Sequence, residues 1–374
     1  MERVWLMVVL LLGWAASQAI GRRGQPRPIS VELMDYNQRT IYHSPETPGF
    51  TCWVGLWMTL DGSLQCSFVQ KTGPKENPVE SVPILESRDS GRTWKRVEGD
   101  IPRGGGHGMA VLKDGTLVCS RWPGSAQDTG YVLRSTDGGR TWSDPIYFMP
   151  PQEYRAWPTI IRPLRDGRLV MMAGVWKRGD GAVANPRMTK MMFVSKDGGK
   201  SWGKPVILMP TEQGVCEESE FCELPNGDLF WVHRVEHYPA ARVEIHPLAA
   251  RAGEPFPNAY SDRMQSIVRK KGDSWEPGPA TLAPFPHSGF PCVVLTKEGI
   301  ILHLATDGIC WTADVGKTWT RLPIDGTGYY PRALQLPDGT IICIGHVGSD
   351  DVYGTVDQSI VQQTFRLVVK PRPR

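Results

Sequence analysis

Arginines, histidines, aromatic rings and carboxylates recur just outside short apolar runs along this chain. Ahead of one set of runs stand His107, Arg155 with Trp157, Glu217 with Glu218 and Glu220, His287, and Tyr329 with Tyr330 and Arg332. Behind the next set stand Lys71 and Glu76, Arg121 with Trp122, Trp176 with Lys177 and Arg178, His233 with Arg234, His303 with Asp307, and His346 with Asp350. Side chains of these types hold anions through charge-assisted hydrogen bonds, stack on sugar or aromatic rings, and relay protons. The histidines come singly, without ligand spacing, so no metal and no other cofactor is expected. Each residue alone reads as a solvated loop charge; the fold decides whether they converge.

The fold is written in two interleaved repeats. Six segments read as an apolar run, a Gly-containing polar turn and another apolar run: LDGSL at Leu60, LKDGTL at Leu112, LRDGRL at Leu164, LPNGDL at Leu224, LTKEGII at Leu295 and LPDGTI at Leu336. Such turns between apolar stretches signal β-hairpins, here expected as two-residue turns with positive φ. Between them falls a second motif: SRDSGRTW from Ser87, STDGGRTW from Ser135, SKDGGKSW from Ser195 and TADVGKTW from Thr312, with a worn copy, KKGDSW, ending at Trp275. Asp89, Asp137, Asp197 and Asp314 read as structural acceptors for turn N–H groups, with the Trp packing each hairpin against its blade.

Hairpin plus Asp motif makes four antiparallel strands. Six such units predict an all-β, six-bladed β-propeller over residues 29–369, read as one domain. The sixth unit has no Asp motif after Gly339, so its missing strand is expected from the segment near Ile29 to Met34. That strand would close the ring and remove its exposed edges. Because successive turns of an antiparallel blade alternate faces, the Gly turns and Asp motifs share one face. The chemistry-bearing residues then share the other, around the mouth of the axial channel, where the longest connection, about Glu236 to Gln265, also lies.

Residues 1–19 read as a signal peptide, with Arg3, an apolar run from Val4 to Ala16, and Ser17 and Ala19 at cleavage spacing. The mature protein is therefore expected to be exported, secreted or periplasmic, with no later membrane span. Among 8 cysteines, Cys66, Cys119 and Cys343 fall at matching second-strand positions and suit buried thiols, while Cys216 with Cys222, or Cys52 with a neighbour, are open as bridges. A net charge of +3 argues neither for nucleic acid nor for an anionic membrane.

The Asp motif on six blades resembles the sialidase superfamily over nearly the whole mature chain. ESEFCELPNGDLFWVHR from Glu218 to Arg234 is similar to the sialidase segment in which a Glu enters one strand and an Arg leaves the next. YPRALQLPDGTI from Tyr330 is similar to the segment carrying the sialidase tyrosine nucleophile. The resemblance implies Tyr330 as nucleophile, Glu218 as its base and Arg234 as a substrate clamp. A tyrosine avoids the repulsion a carboxylate nucleophile would meet at an anomeric carbon bearing a carboxylate.

The first-blade Arg-Ile-Pro motif is replaced by FTCWVGL, and HLATDGICW, with His303 and Asp307, stands where a third arginine is expected. The acid/base is expected on QKTGPKENPVES as Glu76, with Glu80 or Asp128 as alternatives. Arg121, Arg155 and Arg332, with His107 and His303, complete the expected substrate-binding set. The sequence thus points to an exported exo-glycosidase acting on a terminal, acidic sugar of a glycan. The rival is a carbohydrate- or protein-binding propeller without catalysis.

Overall fold

The computed structural model describes residues 29–45, 50–74, 76–123, 128–178, 188–210, 213–214, 216, 218–237, 260–285, 289–347 and 358–371. These form six antiparallel sheets and, among the described residues, no helix. Reading each blade from the axis outward, blade one is Phe50–Met58, Leu64–Thr72, Pro83–Ser87 and Lys95–Asp100. Blade three is Tyr154–Pro163, Leu169–Lys177, Thr189–Ser195 and Val206–Met209, and blade five is Cys292–Leu295, Ile301–Ala305, Gly308–Thr312 and Thr320–Arg321. Blade four is Ser219–Glu223, Leu229–His237, Tyr260–Lys271 and Ser274–Pro277, with Thr281–Leu282 also pairing to its third strand.

Blade two departs from the expected four strands. Ala110–Val111, Leu117–Arg121 and Tyr131–Ser135 form three, and its outer strand shrinks to the single bridge between Val132 and Ile146. Blade six takes Tyr329–Gln335, Ile341–Val347 and Ser359–Pro371 from the end of the chain and Ile29–His43 from its start. The closing strand is antiparallel and long, from Ile29 opposite Pro371 to His43 opposite Ser359.

The six Gly turns place Gly62, Gly115, Gly167, Gly227, Gly299 and Gly339 at φ between 79° and 93°, where a Cβ is strained. Their geometry differs from a two-residue turn. Gly115 N–H donates to Leu112 O at 2.9 Å and Leu112 N–H to Thr116 O at 2.9 Å, which closes a three-residue loop with the glycine as its bulge. Asp114 Oδ1 accepts from Thr116 N–H at 2.9 Å, so the aspartate caps its own turn.

The Asp motifs are structural. Asp89 accepts from Thr93 N–H at 2.8 Å and from Thr93 Oγ1 at 2.7 Å, while Ser87 Oγ donates to it and receives Gly91 N–H, both at 2.8 Å. Asp137, Asp197 and Asp314 repeat the arrangement. Two of their tryptophans reach further than the sequence suggests, while the indole N–H groups of Trp142 and Trp202 find no partner among the described residues. Trp94 donates to Gln362 of blade six at 2.6 Å and Trp319 to Gln265 of blade four at 3.0 Å, so each indole pins its blade to the preceding one.

The core is accordingly divided into wedges between neighbouring blades. Leu229, Trp231 and Val235 face blade three, whereas Phe230 and Val232, one residue out of phase, face blade five. All eight cysteines are free thiols, with Cys66, Cys119 and Cys343 fully buried among apolar neighbours, so the bridges left open at Cys216 and Cys52 do not form. No described helix is long and apolar enough to cross a membrane. The leader, residues 1–19, lies outside the described residues.

Two outcomes follow from this packing. Deleting residues 29–43 should abolish cooperative thermal unfolding by circular dichroism, because blade six loses its outer strand. Hydrogen bonds from Thr93 hold Asp89 well below the usual carboxylate range, and bonds from Thr141 do the same for Asp137. Their stabilisation is complete above the unfolded value near about 4 and is lost as pH falls towards the folded one. Asp89→Asn and Asp137→Asn should therefore lower Tm at pH 7 and flatten its decline between about pH 4.5 and 2.5.

Candidate functional site

Tyr330 enters the site on a distorted strand. The innermost strand of blade six is bulged between Tyr329 and Arg332, and Tyr330 adopts φ 53°, a left-handed backbone that costs a bulky residue about 1–3 kcal/mol. Trp53, at φ 56°, sits in the matching bulge of blade one between Cys52 and Gly55. Both bulges turn an aromatic ring towards the same space. The Tyr330 ring rests on Gly289, whose φ of 63° strains any side chain and where an added Cβ would lie a tight 3.3 Å from Cε2. His346, Phe290 and His107 surround the ring at 5.8, 6.2 and 6.5 Å between centroids.

Glu218 and Arg234 are neighbours across the first two strands of blade four. Arg234 N–H donates to Glu218 O at 2.9 Å, and Arg234 Nη1 lies 2.7 Å from Glu218 Oε2. Glu218 is buried and Arg234 half-buried, so the ion pair fixes the carboxylate at the edge of the channel.

These groups line one cavity of about 230 Å³ with Trp53, Arg103, Trp122, Pro123, Trp157, Thr159 and Phe290. It falls below the ~300–1,000 Å³ typical of drug-sized ligands, which suits a single small ring. Cavities of about 740 and 450 Å³ lie between blades four and five and between blades three and four. Neither brings a tyrosine, a glutamate and an arginine together, so the smaller cavity is the better chemical candidate.

Beneath it the charge is largely positive. Arg263, opposite Arg234 on the third strand of blade four, is fully buried and donates to the carbonyls of Gly289 and, at 3.5 Å, Phe285. Burial pushes its guanidinium down to about 10, and the nearby Glu218 opposes that. Arg332 is also buried, 4.3 Å over Phe290, and bonds the carbonyls of Pro291 and Pro331 at 3.1 and 3.0 Å. Arg162 pairs with Glu220 at 2.7 Å. His107, buried between Trp122 and Phe290, is pushed well below its usual range first by burial, then by Arg332 and Arg162, and stays neutral.

The expected residues separate into three groups. Tyr330, Glu218, Arg234, Trp122 and Trp157 line the cavity, and His107 and Arg332 lie against its walls. Glu76 is exposed on its loop, Arg121 bonds the carbonyl of Trp122, Arg155 lies 5.0 Å over Trp176, and His303 is buried within blade five against Pro284 O at 3.2 Å; the structure brings none of these four to the lining. Glu217, His287, Asp350 and residues 238–259 of the long connection lie outside the described residues.

Sequence reasoning missed Trp53, Arg103, Phe290 and Arg263. Trp53 stands beside the position where a sialidase arginine is expected, and only the bulge reveals that it points inward. Arg103 lies 5.5 Å over Trp53 and 3.5 Å from Glu80. Arg263 had no distinguishing cue, since Asp262, Arg269, Lys270 and Lys271 are charges on the same strand.

No family model and no curated protein sequence matches this chain. Solved structures do. A mutant α-L-arabinofuranosidase from Fusarium graminearum bound to an iminosugar inhibitor aligns with TM-score 0.62 at 16% identity, over 88% of this chain and 97% of that one. An α-L-arabinanase from Penicillium chrysogenum bound to arabinobiose gives 0.61 at 18%, over 86% and 97%. An intramolecular trans-sialidase from Ruminococcus gnavus bound to oseltamivir carboxylate gives 0.54 at 14%, over 87% and 96%. The chain shares the six-bladed propeller of these sialidases and arabinanases.

Arg263→Met should strip the buried carbonyl of Phe285 and the half-buried one of Gly289 of this donor and cost about 2–4 kcal/mol in denaturant unfolding. Arg263→Lys, which keeps a charge but not the fork, should recover only part of it. Equal stability of all three proteins would remove Arg263 from this account.

Proposed function

We propose that this protein is an exo-glycosidase that releases a terminal acidic sugar from a glycan through a tyrosine nucleophile. The observation that carries the reading is Tyr330, held in a strained bulge, sharing one small cavity with Glu218, itself fixed by Arg234. Strain of this kind persists where surrounding structure over-determines it, and it gathers at working sites. The neighbours named as glycosidases act on glycans with the same architecture, which favours this class.

In the first step the Tyr330 oxygen bonds the anomeric carbon, its proton passes to Glu218, and the bond to the departing sugar breaks as that oxygen gains a proton. Water then gives a proton to the carboxylate left by that acid and displaces the tyrosine, which recovers its own proton from Glu218. A free phenol titrates near about 10, so without a base it is a weak nucleophile at neutral pH. The acid is assigned to the blade-one loop carrying Glu76 and Glu80; Glu80, tied to the cavity edge through Arg103, is the better placed of the two. Arg103, with the buried Arg263 and Arg332, favours a negatively charged sugar. Export, read from the leader alone, would deliver the protein to extracytoplasmic glycans.

One observation favours a second reading. Among the described residues Glu218 is the sole carboxylate in the lining, while Trp53, Trp122 and Trp157 offer stacking faces. A glycan-binding propeller needs no more than that. A panel of aryl glycosides including sialosides and uronides separates the two. The enzyme should turn over at least one, and Tyr330→Phe and Glu218→Gln should each lower kcat by at least about 1,000-fold. Binding without turnover supports the second reading, and turnover indifferent to both substitutions rejects the mechanism.

A further inference from the structure

Away from the axis, a separate cavity of about 450 Å³ opens between blades three and four. Leu208 and Met209 from the outer strand of blade three form one wall, and Trp231 and Met264 from blade four form the other. It exists because the outer edge of blade four is interrupted. Ser274–Pro277 pairs with residues 268–271 and Thr281–Leu282 with residues 264 and 265, leaving Pro277 to Ala280 to cross between them at the cavity edge.

Gln213, the indole N–H of Trp231, His233 and Ser266 are the polar side-chain groups of this otherwise apolar lining. His233 lies flat on Trp231, with ring centroids 3.6 Å apart and planes 14° apart, which fixes the imidazole. Its Nδ1 and the Oγ of Ser266 have no hydrogen-bond partner among the described residues, although His233 is only 1% and Ser266 only 5% exposed. Each such buried group keeps its desolvation penalty until something bonds it. Among the described residues no Asp, Glu, Lys or Arg lines the space, which separates it chemically from the axial cavity with Arg103, Arg234 and Glu218.

We propose that this wedge is a binding site for an uncharged small molecule with an aromatic or alkyl body and one hydroxyl or amide group, which bonds His233 Nδ1 and Ser266 Oγ. Its volume falls within the ~300–1,000 Å³ of small-molecule sites, and a few placed polar groups in an apolar pocket are what fixes a ligand's orientation there. Burial, and then the charges of Lys190 and Arg263, keep the imidazole neutral, so it offers a dipole rather than a cation. A charged ligand would find no counter-ion. The proposal stands independently of any glycosidase activity.

The probe is 4-bromophenol, titrated calorimetrically into the whole protein at pH 7, with bromobenzene as the partner lacking a hydroxyl. Saturable binding of one equivalent is expected, weakened about 3- to 10-fold by Ser266→Ala and by the loss of the hydroxyl. Glu218→Gln should leave it unchanged, and bromine anomalous scattering from a crystal of the complex should place the atom beside Trp231 and Met264. His233→Phe tests the second bond, and Ser266→Ala keeps the test valid if that variant fails to fold. Absence of saturable binding, equal affinity for bromobenzene, or bromine density in the axial cavity would overturn the proposal.

Discussion

Every blade of this protein has two apolar faces and no means of covering either by itself. The alternation along one strand makes this plain: Trp231 turns to blade three while Phe230 and Val232 turn to blade five, so each face is completed only by a neighbour. A row of such sheets must close into a ring or leave two faces wet. Closure is done by Ile29–His43, whose Ile29, Val31 and Leu33 pack in the wedge between blades five and six. Its Ile41 and Tyr42 pack in the wedge between blades six and one, so one strand serves both sides of the seam.

The candidate site is a consequence of that closure. Trp53, Trp122, Trp157, Glu218, Phe290 and Tyr330 come from all around the ring and meet only when it is shut. The strain sits in the same place. Left-handed backbone at Trp53 and Tyr330 is held by bulges in innermost strands whose neighbours are fully paired sheet. Beneath them, Arg263 bonds the carbonyls of Phe285 and Gly289, so the glycine under the tyrosine ring is anchored to the strand beside Arg234.

The ring was legible because its signals are local and repeated. A Gly at positive φ and an Asp that accepts from its own turn can be read one motif at a time, as Gly115, Asp114 and Asp89 show. Turn parity also gathered Glu218, Arg234 and Tyr330 on one face, and the structure places all three on one cavity. What escaped depends on contacts between blades. The inward turn of Trp53 comes from a bulge without a sequence signature, and His303 sinks into blade five because its strand position faces the core. The shortened outer edge of blade two and the interrupted one of blade four likewise follow from pairing that no local motif announces.

The proposal turns on one bond, which the phenol of Tyr330 would form with the sugar. It is tested most directly by incubating the protein with fluorinated glycosyl fluorides, neutral and acidic, whose electron-poor rings slow breakdown of a covalent intermediate, followed by intact-mass measurement and peptide mapping. The account predicts a mass gain of one sugar on the peptide containing Tyr330, absent in Tyr330→Phe. A label on Glu218 or another carboxylate would contradict it.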